Sequence, residues 1–205
     1  MEIQNNDRKR TQHNVLIMAD LFSKLLNLSS TRSNIMASIK EATEWFKTTS
    51  ISFISEVRLS SNKKKIEIGK MYLFSYDPKT KEKLPYYDKF PLIFPIESYN
   101  DGFLGINLHY LPPLLRVKLL DALYDTINNN KMNDSTKLKI SYQILKSATK
   151  FRYFQPCVKR YLLSHIRSGF KEIEPTEWNK AILLPTQKFE KASESKVYQD
   201  SIRKS

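Results

Sequence analysis

A segment rich in lysine and arginine, from Ser135 to Lys171, contains no Asp or Glu. It holds nine basic residues, at Lys137, Lys139, Lys146, Lys150, Arg152, Lys159, Arg160, Arg167 and Lys171. Such side chains bind phosphate groups, and each phosphate that they neutralise releases condensed counterions. A face that only meets solvent usually mixes acidic residues with its basic ones. The pattern therefore predicts a nucleic-acid surface, with an acidic protein partner and a plain solvated face as the alternatives.

The spacing of these residues predicts two basic stripes, each on one face of a helix. The first stripe repeats at steps of four, three and four residues, through Lys139, Gln143, Lys146 and Lys150. The same spacing predicts a second stripe on the following helix, through Arg160, Ser164, Arg167 and Lys171. The apolar residues opposite the first stripe are Leu138, Tyr142 and Leu145. Eight cations are the candidate residues for binding DNA or an acidic partner: Lys139, Lys146, Lys150, Arg152, Lys159, Arg160, Arg167 and Lys171.

Three aromatic residues, Phe151, Tyr153 and Phe154, lie among these charges. Aromatic rings beside cations stack on unpaired bases in proteins that bind single strands. Phe151 and Phe154 also suit a place in the core between two helices, and we favour that placement for both. The shorter basic runs at 8–10 and 63–65 are typical of a solvated tail and a solvated loop.

No pattern of a known catalytic site is visible in the sequence. A glycine-rich phosphate loop, a nucleophile elbow and a His-Glu-x-x-His helix are missing, and no Cys/His cluster has zinc spacing. A nuclease would need clustered carboxylates around Mg²⁺. The carboxylates that flank the predicted sheet are spaced as turn residues instead, at Asp77, Asp88, Glu97 and Asp101. We expect no enzyme activity, no catalytic residue, no metal and no cofactor, and an end-trimming nuclease is the weakest alternative.

Three polar residues have both a chemical and a structural interpretation. Asn107 and His109 share one face of a predicted strand and could form a polar site, although a satisfied histidine at the sheet edge is the favoured reading. Cys157 is the chain's one cysteine and lies beside Lys159 and Arg160, which would lower the pKa of a thiol. Because no partner base is recognisable, we expect a half-buried structural thiol.

Hydrophobic periodicity predicts an α+β fold for the elements that carry these residues. Amphipathic helices are expected near 14–26 and 35–46, in an N-terminal helical segment of residues 1–50. A single core of residues 51–184 would contain a small antiparallel sheet or partly closed barrel, at about 51–111, and a C-terminal helical bundle, at about 113–184. Residues 185–205 are polar and are expected to form an extended arm that a partner orders.

The composition limits the classes of protein that fit. The chain has 205 residues, a formal net charge of +13 and 40% hydrophobic residues, which is too apolar for a disordered polycation. No apolar run is long enough to span a membrane, and no secretory signal is expected. A single cysteine excludes an internal disulfide and fits a reducing compartment. We expect a folded, intracellular, basic protein with an anionic partner.

Several segments between Gly69 and Pro185 resemble a known family. The segments are Gly69–Phe74, Tyr76–Lys79, Leu84–Asp88, Phe90–Leu92, Gly102–Pro113 with Arg116 after it, Leu145–Ser147, Phe154–Cys157, Glu177–Trp178 and Leu184–Thr186. The most distinctive is Asn-Leu-His-Tyr-Leu-Pro-Pro, at 107–113. Together they are similar to small virion proteins of contractile-tailed bacteriophages, and most of all to the phage DNA end protectors.

The resemblance implies a virion protein without catalytic residues that is made in the cytoplasm of the bacterial host. It would cap the ends of the phage genome, block host exonuclease and contact other virion proteins of the tail or neck. The alternative is a structural connector of the tail, neck or baseplate whose basic face docks on an acidic neighbouring subunit. Both alternatives assign the eight candidate cations to binding.

Overall fold

The computed structural model describes residues 32–57, 66–183 and 189–203. The helix expected near 14–26 lies outside these ranges. The second expected helix is present as α1, Arg32–Val57. Ala42 and Phe46 on this helix are buried in the core, and Ile39 packs against it. The helix continues through residue 50, where the sequence places the end of the N-terminal segment.

Two groups of strands follow α1. The first group comprises β1 (Met71–Leu73), β3 (Leu92–Tyr99), β4 (Gly102–Asn107), β5 (Val158–Leu162) and β6 (Lys171–Ile173). These five form one antiparallel sheet in the order β5-β4-β3-β1-β6. The second group is a two-stranded ribbon of β2 (Tyr87–Asp88) and β7 (Phe189–Glu190). Because β5 and β6 form two separate edges of the main sheet, the sheet is open. The expected antiparallel sheet is therefore confirmed, and its alternative, a partly closed barrel, is wrong.

The hairpin between β3 and β4 is closed by the turn that Asn100, Asp101 and Gly102 predict. A Cβ atom at Gly102 would lie 2.0 Å from the carbonyl oxygen of Tyr161 on β5. Only glycine therefore lets β5 approach β4 at this point. The register of the hairpin shifts between Pro95 and Glu97, where proline has no N–H to give to the ladder.

The first two helices predicted after the sheet are present, and they connect β4 to β5. They are α2 (Pro113–Ile127) and α3 (Asp134–Ala148). Pro113 lies in the first turn of α2, where its missing N–H costs nothing. The side-chain oxygen of Asn133 accepts the N–H of Thr136 at 2.8 Å and so caps α3. A short helix, α4 (Trp178–Ile182), lies near the end of this part of the chain.

The predicted helical bundle is wrong for residues 158–173, which contribute β5 and β6 to the sheet. Val158, Tyr161 and Leu162 satisfy a helical spacing, but β-branched and aromatic residues also suit a strand. The free edge of β4 provides a pairing partner, and a tight 3-10 turn at Gln155–Cys157 ends the helical path before it. Tertiary pairing thus decides between two locally acceptable structures.

The prediction of an extended arm is wrong for residues 189–203. This stretch forms β7 and then α5, Glu194–Arg203. Val197 and Ser201 on α5 are buried, and the hydroxyl of Tyr198 accepts a hydrogen bond from the guanidinium of Arg116 on α2. Val197 and Tyr198 lie four and three residues before Ser201, which places the three residues on one helix face. This face docks α5 on the core.

The two faces of the main sheet carry different cores. The helices cover one face, where the larger core includes Phe94, Ile106 and Trp178. The other face carries a small aromatic cluster of Phe74, Tyr76, Ile93, Phe103 and Tyr161. Among the residues described, no helix combines the length and the apolar character needed to cross a membrane.

Candidate nucleic-acid interface

The eight candidate cations lie on a helix, on the turn after it, on two strands and in a loop, rather than on two helices. Lys139 and Lys146 are on α3, Lys150 and Arg152 follow its end, Lys159 and Arg160 are on β5, Arg167 is in the next loop, and Lys171 begins β6. The predicted second helical stripe, from Arg160 to Lys171, is therefore wrong. Alternate residues of a strand point to opposite faces, so Lys159 and Arg160 face different sides of the sheet.

The first stripe is present on α3. Lys139 and Gln143 are exposed and Lys146 is half-buried, while Leu145 on the opposite side is fully buried. Leu138 differs from the prediction, because 45% of it is exposed. The helix uses Ser141, Leu145 and Ala148 as its buried face instead. The helix is therefore rotated about its axis relative to the predicted orientation, and its lysines remain at the surface.

Three of the eight cations form ion pairs with carboxylates from distant parts of the sequence. Lys146 Nζ lies 2.6 Å from Glu97 Oε2, Arg160 pairs with Asp101, and an Arg167 nitrogen lies 3.3 Å from Asp77 Oδ2. The hydrogen bond from Lys146 lowers the pKa of Glu97, and Glu97 in turn raises the pKa of Lys146. The segment that lacks acids in sequence is thus partly neutralised in space.

Tyr99 connects two of these pairs. Its hydroxyl donates to Glu97 Oε1 at 2.9 Å, and the guanidinium of Arg160 lies 4.0 Å from the centre of its ring. Lys146 from α3 and Arg160 from β5 therefore meet around Glu97 and Tyr99 of β3. This role of Glu97 and Tyr99 is not among the sequence-based predictions, although residues two positions apart on a strand share a face.

A turn after α3 presents cations and aromatic rings together. We call residues 149–154 the aromatic–basic turn. Phe151 and Tyr153 are 63% and 54% exposed, and Lys150 and Arg152 beside them have no ion pair with any described residue. The expected core placement is confirmed for Phe154, which is buried, and is wrong for Phe151.

Local hydrogen bonds fix the shape of the aromatic–basic turn. The N–H groups of Lys150 and Phe151 donate to the carbonyls of Ser147 and Ala148 at 3.0 Å, and the N–H of Phe154 donates to Phe151 at 2.9 Å. These tight turns stop the helix and aim residues 151–153 away from the core. The turn is therefore a defined projection with two exposed rings and two cations.

A cavity of about 540 Å³ lies on the side of the sheet that Lys159 faces. Its walls come from β5 and from the loop that leads into β2. Lys159 Nζ lies 4.1 Å from the centre of the Tyr110 ring, and Tyr161 also lines the cavity. Burial raises the pKa of Tyr110 and of Tyr161 well above the usual value, so both hydroxyls keep their protons at neutral pH.

A buried polar cluster lies behind this cavity. Asp88 Oδ2 lies 2.6 Å from His109 Nδ1 and accepts Asn107 Nδ2 at 3.0 Å. The same Asn107 amide donates to the Tyr161 hydroxyl at 3.0 Å. His109 lies in a 3-10 helix after β4 and is fully buried, so its expected place at a sheet edge is wrong. Its Nε2 has no hydrogen-bond partner in the described parts of the chain.

Cys157 is a buried structural thiol. The side chain is fully buried, and burial raises its pKa to about 12 even though Lys159 and Arg116 act in the opposite direction. The structural reading is therefore confirmed, and the thiol is more deeply buried than the sequence suggests. A thiol with so high a pKa is a poor nucleophile near neutral pH.

The four carboxylates considered for a metal site point to separate partners. Asp77 binds Lys81 and Arg167, Asp88 binds His109, Glu97 binds Lys146, and Asp101 binds Arg160. Within the described ranges, no group of three or more His, Cys, Asp or Glu side chains could hold a metal ion. The Asp77 pKa is lowered by its hydrogen bond from Lys81 and, to a lesser degree, by Arg167.

These features define an α+β protein with an open antiparallel sheet and a basic surface that carries exposed aromatic rings. The family model of the Phage T4 terminal DNA protecting protein matches residues 1–202. The chain belongs to that family and is a phage protein, as the resemblance in its sequence predicts. No curated protein and no solved structure matches it.

Proposed function

We propose that this protein binds the ends of the phage genome in the virion and protects them without cutting DNA. Its family supports the DNA terminus as the ligand. The observation that carries the proposal is the aromatic–basic turn, where Lys150 and Arg152 flank exposed Phe151 and Tyr153. Cations bind the phosphate backbone of any sequence, and exposed rings suit the bases that only a DNA end presents unstacked.

The basic residues contribute differently to this binding. Lys139, Lys150 and Arg152 are exposed and have no carboxylate partner among the described residues, so they can bind phosphates directly. Lys146 and Arg160 must first exchange Glu97 and Asp101 for phosphate. Exposed ion pairs are weak enough for this exchange. We therefore place the phosphate contacts along the outer face of α3 and on the aromatic–basic turn.

The test compares two double variants with the same change in net charge. Lys150→Glu with Arg152→Glu removes the cations of the turn, whereas Lys40→Glu with Lys131→Glu changes exposed lysines elsewhere. Binding of a blunt duplex is measured against salt concentration, and end protection is measured as survival of the duplex with an exonuclease. We expect the first variant alone to lose protection and to lower the salt slope by about 1.8, for two phosphate contacts.

Two results would refute this proposal. One is an affinity for duplex DNA that does not change with salt, and the other is equal protection by both double variants. The non-enzymatic part of the proposal has its own check: an end-labelled duplex incubated with the protein and Mg²⁺ should keep its length. Shortening of that duplex that Asp88→Ala abolishes would instead support the end-trimming nuclease.

One observation favours a connector of the tail, neck or baseplate as the second candidate. Lys146, Arg160 and Arg167 each bind a carboxylate of this chain, so the same surface accepts acidic side chains. A connector would co-sediment with tail or neck assemblies after treatment with DNase. It would also leave the ends of linear DNA open to exonuclease.

A further inference from the structure

We infer that the cavity beside Lys159 holds one unpaired nucleotide at the end of a DNA strand. This inference rests on the proposed function and adds to it the part of the DNA end that is recognised. The cavity has a volume of about 540 Å³, which is within the usual range for small-ligand sites. It therefore has room for one nucleotide and none for a duplex.

The chemistry of the walls fits a base and its phosphate. Tyr86, Tyr87 and Tyr110 supply aromatic surface, and the apolar rings of Pro78 and Pro85 complete the lining. Aromatic side chains stack on bases of any type. Lys79 at the rim is exposed and forms no ion pair with a described residue, so it is available to a phosphate.

Two further groups can recognise a base by hydrogen bonding. The Tyr161 hydroxyl accepts from Asn107 Nδ2 and still has its own proton to donate. Burial holds that proton in place, because it raises the pKa of Tyr161 well above the ordinary value. Lys159 adds a positive charge against the ring of Tyr110.

Asp88 is the one carboxylate in the lining, and it already accepts hydrogen bonds from residues that do not line the cavity. Asp88 Oδ1 accepts the N–H of Phe90 at 3.0 Å, and Oδ2 contacts Asn107 and His109. Arg160 also lines the cavity, but its guanidinium pairs with Asp101. Lys79 and Lys159 supply positive charge, and the one carboxylate is already bound by its neighbours, so the cavity attracts an anion.

The position of the cavity suits a DNA end held by the aromatic–basic turn. Tyr153 and Lys159 are six residues apart in the chain, so their Cα atoms are separated by at most about 22 Å. This upper limit corresponds to about six base-pair steps at 3.4 Å each. One terminus can therefore contact the turn through its backbone and the cavity through its last nucleotide.

The binding experiment uses four DNAs of equal duplex length: blunt, with a one-nucleotide 3′ overhang, with a one-nucleotide 5′ overhang, and closed at both ends by hairpin loops. A blunt end must unpair its last base to fill the cavity, whereas an overhang need not. We expect at least one overhang duplex to bind about tenfold more tightly than the blunt duplex. Equal affinity for the three open duplexes would overturn the inference.

A pair of matched variants separates this inference from the proposed function. Tyr87→Leu alters the cavity, and Tyr142→Leu makes the same change outside it. The cavity variant should lose the preference for an overhang but keep its affinity for the blunt duplex. If it keeps the preference, the nucleotide site is wrong and DNA binding stands. If the wild-type protein binds none of the four DNAs, the proposed function fails as well.

A measurement on the unaltered protein avoids any loss of folding in the variants. A 5-iododeoxyuridine is placed at the overhang and, in a second duplex, at an internal position. Irradiation should link the terminal label to a peptide from residues 76–87 or 158–162, and mass spectrometry identifies it. Terminal cross-links that form only at Phe151 or Tyr153 would show that the last nucleotide lies on the turn and not in the cavity.

Discussion

Lys146 Nζ and Glu97 Oε2 lie 2.6 Å apart, although 49 residues separate them in the chain. The pair joins the basic face of α3 to β3, beside Tyr99 and Arg160. Glu97 therefore competes with any phosphate that approaches Lys146. In the proposed DNA complex, this acidic residue would limit the affinity for phosphate while it keeps the lysine in place.

Replacement of this carboxylate should strengthen DNA binding. In Glu97→Gln the lysine loses its competitor, so we expect tighter binding at low salt and a salt slope steeper by up to about 0.9. The melting temperature should hardly change, because exposed ion pairs contribute little. The measurement is fluorescence anisotropy of a labelled duplex over a range of salt concentrations.

Glu174→Gln is the matched control, because it changes the net charge equally at an exposed acid without an ion pair in the described structure. Its salt slope should equal that of the wild-type protein. If the two variants gain affinity equally, net charge explains the effect and Lys146 has no special place at the interface.

The exposed rings of the aromatic–basic turn give a second prediction. Phe151→Ala and Tyr153→Ala should weaken binding to DNA with a single-stranded end, by about 1–3 kcal/mol for each base that the ring stacks on. Because both rings are exposed, the free energy of unfolding should change by less than about 0.5 kcal/mol. Equilibrium binding and urea unfolding of the same samples provide the two values.

Met36→Ala serves as the control, since Met36 on α1 is as exposed as Phe151. It should leave DNA affinity unchanged. Wild-type affinity in both aromatic variants would mean that the rings contact protein, as expected for a connector, and that binding to DNA relies on charge alone.

The sequence predicts the helices better than the sheet and the surface. α2 and α3 follow from the periodic apolar residues and from local signals such as Pro113. The assignment of residues 158–173 fails because Val158, Tyr161 and Leu162 have a helical spacing but are residue types that also suit a strand, and only the free edge of β4 selects the strand. Family resemblance indicated the DNA-protecting class directly, without passing through the fold.

The candidate site, like the fold, could be predicted only where local spacing determines it. The basic face of α3 depends on local spacing, so Lys139 and Lys146 are found from the sequence. The pairing of Lys146 with Glu97 and the cavity beside Lys159 join segments that are far apart in the chain. No local pattern encodes such contacts, and the exposure of Phe151 depends on where the turn after α3 ends.

The buried cluster around Asp88 gives a third prediction, about stability. Asp88→Asn replaces an acceptor with a donor opposite Asn107 Nδ2 and His109 Nδ1. A buried donor that loses its acceptor destabilises a fold by about 1–3 kcal/mol. We expect the free energy of unfolding to fall by that amount, measured by urea unfolding with the fluorescence of the tryptophans as the probe.

The matched control is Asp125→Asn, an exposed residue of α2 whose substitution should change stability by less than about 0.5 kcal/mol. Equal urea midpoints for Asp88→Asn and the wild-type protein would contradict a structural role for the cluster. Such a result would indicate a functional role for the cluster instead, with His109 Nε2 as the candidate group.

The thiol of Cys157 gives the last prediction, which concerns pH. Burial raises its pKa from 9.0 to about 12, and only the thiolate reacts with iodoacetamide. At pH 8 the folded protein therefore has about a thousandfold less thiolate than the unfolded chain. Because the folded state retains this proton while the unfolded state releases it, the thiol also lowers stability as the pH rises above about 9.

Alkylation at pH 8 should consequently be slow without denaturant and fast in concentrated urea, and mass spectrometry counts the modified molecules. The free energy of unfolding of the wild-type protein should decline between pH 9 and pH 11 more steeply than that of Cys157→Ala. Part of the remaining decline in that variant comes from the buried tyrosines Tyr110 and Tyr161, whose pKa values burial also raises. Rapid alkylation of the native protein would instead show that the region around β5 opens readily, which a rigid cavity wall does not allow.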